Sequence, residues 1–136
     1  MKTLWLARHA KSRKKKAEDR PDHDRPLNKR GKKDAPRVGK CFCEMRVLPD
    51  LILSSSAKRA RKTAAKIAKA CGYQGVIELS GTLYLAAPSQ YVDVLRQVPD
   101  HVEHVLVVGH NPGAEALLTQ LTGRTLALPT AAVARV

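Results

Sequence analysis

Four residues suited to holding an anion stand at the ends of short apolar runs. Leu4 to Ala7 stops abruptly at Arg8-His9, and Val105 to Val108 stops at Gly109-His110. Leu51 to Leu53 stops at Ser54-Ser55-Ser56, and Arg59 follows in the first turn of a helical pattern. Arg presents a planar fork of donors that matches the oxygens of a tetrahedral phosphoryl group. A neutral imidazole can attack phosphorus, and a second, protonated imidazole can stabilise charge on the equatorial oxygens. Two Arg and two His brought to one point would make a phosphoryl-transfer site. Each residue also has a plainer reading. Arg8-His9 could simply begin a loop, and His110 before Asn111-Pro112 could be a turn residue. Arg59 could be a solvated cation that adds little to stability. A cation is electrostatically misplaced at a helix N-terminus, however, and an anion held there would remove the mismatch.

A parallel sheet is what would bring these residues together, because ligands bind at the carboxyl ends of its strands. Leu4–Ala7 reads as a first buried strand. Residues 11–24 read as an exposed polar loop. Asn28 is placed to cap a helix from Lys29 to about Met45, with Ala35, Val38, Gly39, Phe42 and Met45 inward. Pro36 conflicts with that helix, since an interior Pro costs ~3 kcal/mol, so a late start or a kink is expected. Leu51–Leu53 is a second strand. The helix after it, Ala57–Ala70, turns Ala60, Thr63, Ala64, Ile67, Ala68 and Cys71 inward and is capped by Gly72. Val76–Leu79 is a third strand, residues 88–98 a helix, Val105–Val108 a fourth strand and Gly113–Thr122 a helix closed by Gly123. Ala131–Val136 can form a last strand. This alternation predicts a mostly parallel sheet covered on both faces, as one domain over residues 1–136.

Composition narrows the partners. The 136 residues carry a formal charge of +13. Residues 11–40 alone hold 13 Lys/Arg against 5 Asp/Glu. Such a field attracts phosphate-bearing partners without choosing among a phosphoprotein, nucleic acid or an acidic membrane. The sequence lacks a clear helix-turn-helix, zinc finger or aromatic platform, which argues against nucleic acid. No apolar run approaches the ~20 residues of a membrane span, and no secretory leader is evident. Cys41, Cys43 and Cys71 are odd in number and read as free thiols in a reducing cytoplasm. No His pair has metal-site spacing with an acidic partner.

Three stretches taken in order resemble the signatures of the histidine phosphatase superfamily: Arg8-His9, Ser54 to Ala60 with Thr63-Ala64, and Val108 to Pro112. Asp24-Arg25-Pro26-Leu27 with Gly31, Leu83-Tyr84-x-Ala86 and Leu128 to Ala131 narrow the resemblance to SixA-type phosphohistidine phosphatases. The resemblance implies a three-layer α/β/α sandwich of the phosphoglycerate mutase-like kind, with one antiparallel edge strand. It implies that His9 is the nucleophile and that Arg8, Arg59 and His110 bind and stabilise the transferred group. It places Arg25 in the pocket, although an ordinary surface Arg is an equal reading. It implies no metal or organic cofactor and a phosphate or sulfate ion in the site. Ser12, Ser54 and Ser55 could donate to phosphate or merely be loop residues. Lys11, Lys14, Lys15 and Lys16 read as solvated, with partner docking as the lesser alternative, and Tyr84 reads as packing. The general acid of many relatives has no counterpart here: Thr82 precedes Leu83-Tyr84, and Glu78 lies earlier. Family members run on past the Pro129-Thr130-Ala131 segment into another strand, so an exposed sheet edge is expected.

The function expected is hydrolysis of phosphohistidine on a protein, of the histidine phosphotransfer type, through a covalent intermediate on His9. The alternatives are a small-molecule phosphate ester phosphatase, and a catalytically weak basic module binding nucleic acid or acidic partners.

Overall fold

The computed structural model describes residues 2–14 and 20–136. Four strands run parallel: β1 (Thr3–Arg8), β2 (Leu51–Ser55), β3 (Ile77–Ser80) and β4 (His104–Gly109). A fifth, β5 (Val133–Arg135), lies antiparallel on β1. The sheet order is β3-β2-β4-β1-β5. The antiparallel edge strand is the arrangement expected from the resemblance.

Strand residues alternate between the two faces of a sheet, and this alternation divides the core in two. Leu4, Leu6, Leu53, Val105 and Val107 face one layer, where they meet Tyr91 of α3 (Pro88–Arg96) and Leu117 and Leu118 of α4 (Gly113–Thr122). Trp5, Ala7, Ile52, Leu106 and Val108 face the other. They pack on Phe42 of α1 (Lys29–Glu44) and on Ala60, Ala64 and Ile67 of α2 (Lys58–Cys71). The sequence thus makes three layers, with β4 and β1 central and buried on both sides.

Two features of the helices bear on the expectations. Gly72 ends α2 in the left-handed region, at φ 80°, and its N–H bonds the Ala68 carbonyl, a conformation that suits a residue without Cβ. In α1, Pro36 neither delays nor breaks the helix, which begins at Lys29 and runs through to Glu44. Its start is fixed by the Asn28 side chain, which accepts the Gly31 N–H at 2.8 Å. Burial of Ala35, Gly39 and Phe42 then outweighs the one backbone bond that Pro36 cannot make. Met45 is exposed rather than inward. Among the described residues, no helix is long and apolar enough to cross a membrane.

Candidate active site

The parallel register sets Arg8 of β1 opposite Gly109 of β4. His9 follows one residue past the strand, its N–H bonded to the Gly109 carbonyl at 3.0 Å. His110 leaves β4 in the same way, and the two imidazole centroids are 5.2 Å apart. Gly109 is tied to this geometry because a Cβ there would run into the Tyr91 hydroxyl. That hydroxyl accepts the His110 N–H at 3.2 Å. Arg59 arrives from the first turn of α2. Arg25 arrives from the loop before α1, which an isolated bridge between Ser12 and Leu27 pins to the end of β1. Together with Lys11, Ser12, Asp22, Leu85, Asn111 and Thr130 these side chains line a cavity of about 350 Å³.

His9 is 7% exposed. Its Nδ1 lies 2.8 Å from the Ala10 carbonyl. A carbonyl only accepts, so Nδ1 carries the proton and Nε2 keeps its lone pair. Burial lowers the imidazole pKa from 6.5 to about 4, opposed by the Ala10 bond and helped by the charges of Arg59, Arg8 and Arg25. The ring is therefore neutral at pH 7. Thr63 braces this corner: its hydroxyl accepts the Ala10 N–H at 2.9 Å and donates to the Arg59 carbonyl at 2.7 Å.

His110 is 1% exposed, and its Nε2 lies 2.7 Å from the Ser55 hydroxyl. That hydroxyl oxygen already accepts the Ala57 N–H at 3.2 Å, leaving its own proton for Nε2. Nδ1 is then the protonated nitrogen, and it has no partner among the described residues. Burial lowers this pKa to about 3, with His9 and Arg59 adding to the effect and Asp22 opposing it. The protein's own surroundings thus favour the neutral ring, and the cation expected from sequence depends on the charge of a bound phosphoryl group. A phosphoryl dianion would raise its proton affinity, and the neutral Nδ1–H is already a donor.

Asp22 is the site residue that sequence reasoning passed over. It lies in a single 3-10 turn, Asp22–Asp24. Its carboxylate accepts from Arg59 at 2.9 Å, from Arg25 at 3.1 Å and from the Tyr84 hydroxyl at 2.5 Å. Arg59 also donates to the Asp22 carbonyl at 2.8 Å. Burial alone would raise the carboxyl pKa, but these donors offset it and hold the group well below the usual carboxylate range. The Asp-x-x-Arg spacing of Asp22 and Arg25 was the available signal, since such a pair meets across one turn.

The expected residues fall as follows. Arg8, His9, Arg25, Arg59, His110 and Ser12 all line the cavity. Ser12 accepts from Arg25 at 2.9 Å. Arg59 is 2% exposed, which corrects the reading of a solvated first-turn cation. Ser54 is buried and donates to the Ser55 carbonyl, and Ser55 stands behind His110, so neither lines the cavity. Tyr84 does more than pack, through its bond to Asp22. Lys11 lines the cavity, Lys14 is exposed, and Lys15 and Lys16 lie outside the described residues. Thr82 and Glu78 line a separate groove by β3 and α3.

The profile of the histidine phosphatase superfamily (branch 1) matches residues 4–83. An uncharacterised chloroplastic protein of Arabidopsis thaliana is 34% identical, over 93% of this chain and 62% of its own length. An uncharacterised Mycobacterium tuberculosis protein is 38% identical, over 71% of this chain and 58% of its own. The chain thus spans about three fifths of the length of these curated relatives. The Agrobacterium tumefaciens protein assigned as the phosphohistidine phosphatase SixA has a fold matching at TM-score 0.86 and 31% identity, over 98% of this chain and 90% of that one. A SixA histidine phosphatase bound to tungstate also matches at 0.86, with 20% identity, over 98% and 86% of the two chains.

Proposed function

The chain belongs to the histidine phosphatase superfamily, and from that membership we propose that it is a phosphohydrolase acting on phosphohistidine carried by a protein. The observation that carries the reading is His9: a neutral ring, tied at Nδ1 to Ala10, among three arginines in one cavity. The substrate class follows the SixA-like relative.

In this reading Arg8, Arg25 and Arg59 bind the phosphoryl oxygens, with Ser12 at the rim. His9 Nε2 attacks phosphorus in line. The bond to the substrate imidazole breaks, and its electron pair stays on that imidazole, which leaves neutral because its other nitrogen is protonated. His110 Nδ1–H bonds an equatorial oxygen where charge grows. Water then attacks phospho-His9, the Nε2–P bond breaks, inorganic phosphate departs with the water's oxygen, and His9 returns neutral with its proton on Nδ1. Asp22 is ionised and so offers no proton to a leaving group. An alkyl ester, whose alkoxide needs that proton, would react poorly. A phosphoramidate does not need it.

Rapid alkaline quenching, which preserves phosphohistidine, followed by peptide mapping tests the reading. Label is expected on His9 during turnover. His9→Ala should abolish label and turnover while still binding tungstate. His110→Ala should slow both steps and retain some label. Label on Ser12, or full activity in His9→Ala, would overturn it. Faster turnover of phosphate esters than of a phosphohistidine protein would reassign the substrate.

A further inference from the structure

A second cleft, of about 300 Å³, is lined by Pro26, Leu27, Lys32, Lys58, Lys62 and Lys66, two of them next in sequence to residues of the first cavity. Pro26 and Lys58 are the chain neighbours of Arg25 and Arg59, so the cleft begins where two arginines of the phosphoryl pocket leave off. Lys58, Lys62 and Lys66 recur every fourth residue and share one face of α2, about 6 Å apart along its axis. Lys32 comes from α1 across the cleft. Leu27 is fully buried beneath them.

Among the described residues none of the four lysines is in an ion pair. Helix α2 carries six basic residues and no carboxylate. Like charges four apart work against a helix, so the row is a standing cost that a bound polyanion would offset. Among the described residues no aromatic ring lines the cleft, and bases would have nothing to stack on. Carboxylates on one face of a partner helix, spaced four residues apart, match the row in both sign and interval.

We propose that this lysine cleft docks an acidic helical surface of the phosphorylated protein, in register with the phosphohistidine offered to His9. The proposal rests on the phosphoprotein reading above. Docking here acts on encounter and substrate binding, not on the chemical step.

The test uses a helical peptide bearing one phosphohistidine and Glu at the fourth, eighth and twelfth positions beyond it, beside the same peptide with Gln. At low salt the wild-type protein should process the Glu peptide with kcat/KM about tenfold higher than the Gln peptide. That advantage should vanish in K62Q/K66Q and K62E/K66E, with Gln-peptide turnover unchanged. It should return when K62E/K66E meets a peptide with Lys at the three positions. Equal use of the Glu and Gln peptides by wild type, or an equal loss on both in the variants, would overturn the proposal. So would variants that lose binding to duplex DNA while keeping the Glu-peptide advantage. Failure of wild type to dephosphorylate either peptide would sink the phosphoprotein reading instead. Anisotropy binding of the unphosphorylated Glu and Gln peptides then decides the cleft on its own.

Discussion

His9 and His110 are neutral for the same first reason, burial, and this governs how the protein meets acid. Both pKa values lie below the ordinary 6.5, at about 4 and about 3. Between pH 6.5 and 4 the unfolded chain takes up protons that the folded one refuses, so stability rises with pH there and is lost on acidification. Below that window Asp22 adds a loss of the same sign, since its folded pKa is depressed too. Melting temperature should therefore fall from pH 7 to pH 4, and fall less with tungstate bound. For activity, kcat/KM should hold through pH 6.5 and decline only near pH 4, as His9 protonates. A decline centred near 6.5 would show a solvated nucleophile. At Asp22, removing the charge frees Arg25 and Arg59. Asp22→Asn should bind inorganic phosphate roughly tenfold more tightly, by relief of like-charge repulsion. Weaker binding by calorimetry would mean that the carboxylate chiefly aligns the two guanidinium groups.

At the scale of elements, α2 and the Asp22–Asp24 turn act as one unit through Arg59. Arg59→Ala should lower turnover ~10²–10³-fold. It should also cost about 1–3 kcal/mol of stability, because a buried guanidinium holding both the side chain and the carbonyl of Asp22 is removed. Asn28→Ala should cost about 1 kcal/mol through loss of the α1 cap, read as a lower denaturant midpoint with unchanged slope. The strands, helix starts and pocket residues at strand ends were legible because each has a local cause: an apolar run, a cap, a Gly. Asp22 was not, because its only local mark, an Arg three residues on, is weak in a charged loop. What selects it is the approach of α2, which brings Arg59 to its carboxylate. The late start expected from Pro36 failed for the same kind of reason, since the packing of α1 on α2 overrides a local penalty. Burial of His110, which lowers its proton affinity before any anion binds, is likewise something spacing does not reveal.

At the scale of the whole molecule, the +13 charge sets a long-range field that salt screens within about 10 Å at 0.1 M. Turnover of a phosphoprotein should fall steeply between low and physiological ionic strength, while that of a small aryl phosphate should change little. Parallel loss on both, measured by stopped-flow kinetics, would mean that the field acts on the pocket rather than on encounter. The sheet order has a further consequence, for the birth of the protein. Among the described residues, Thr3–Arg8 have β4 and β5 as their only partners in the sheet, and the first begins at His104. A chain made from its N-terminus leaves the backbone of Leu4, Trp5 and Leu6 without a strand partner until some hundred further residues have been synthesised, although Phe42 can cover Trp5 earlier. Pairings that distant in sequence form slowly, and an unpaired apolar strand is prone to aggregate while it waits. His9, the proposed nucleophile, follows that same strand, so phosphate binding should appear last in refolding, together with the closing of β1 against β4.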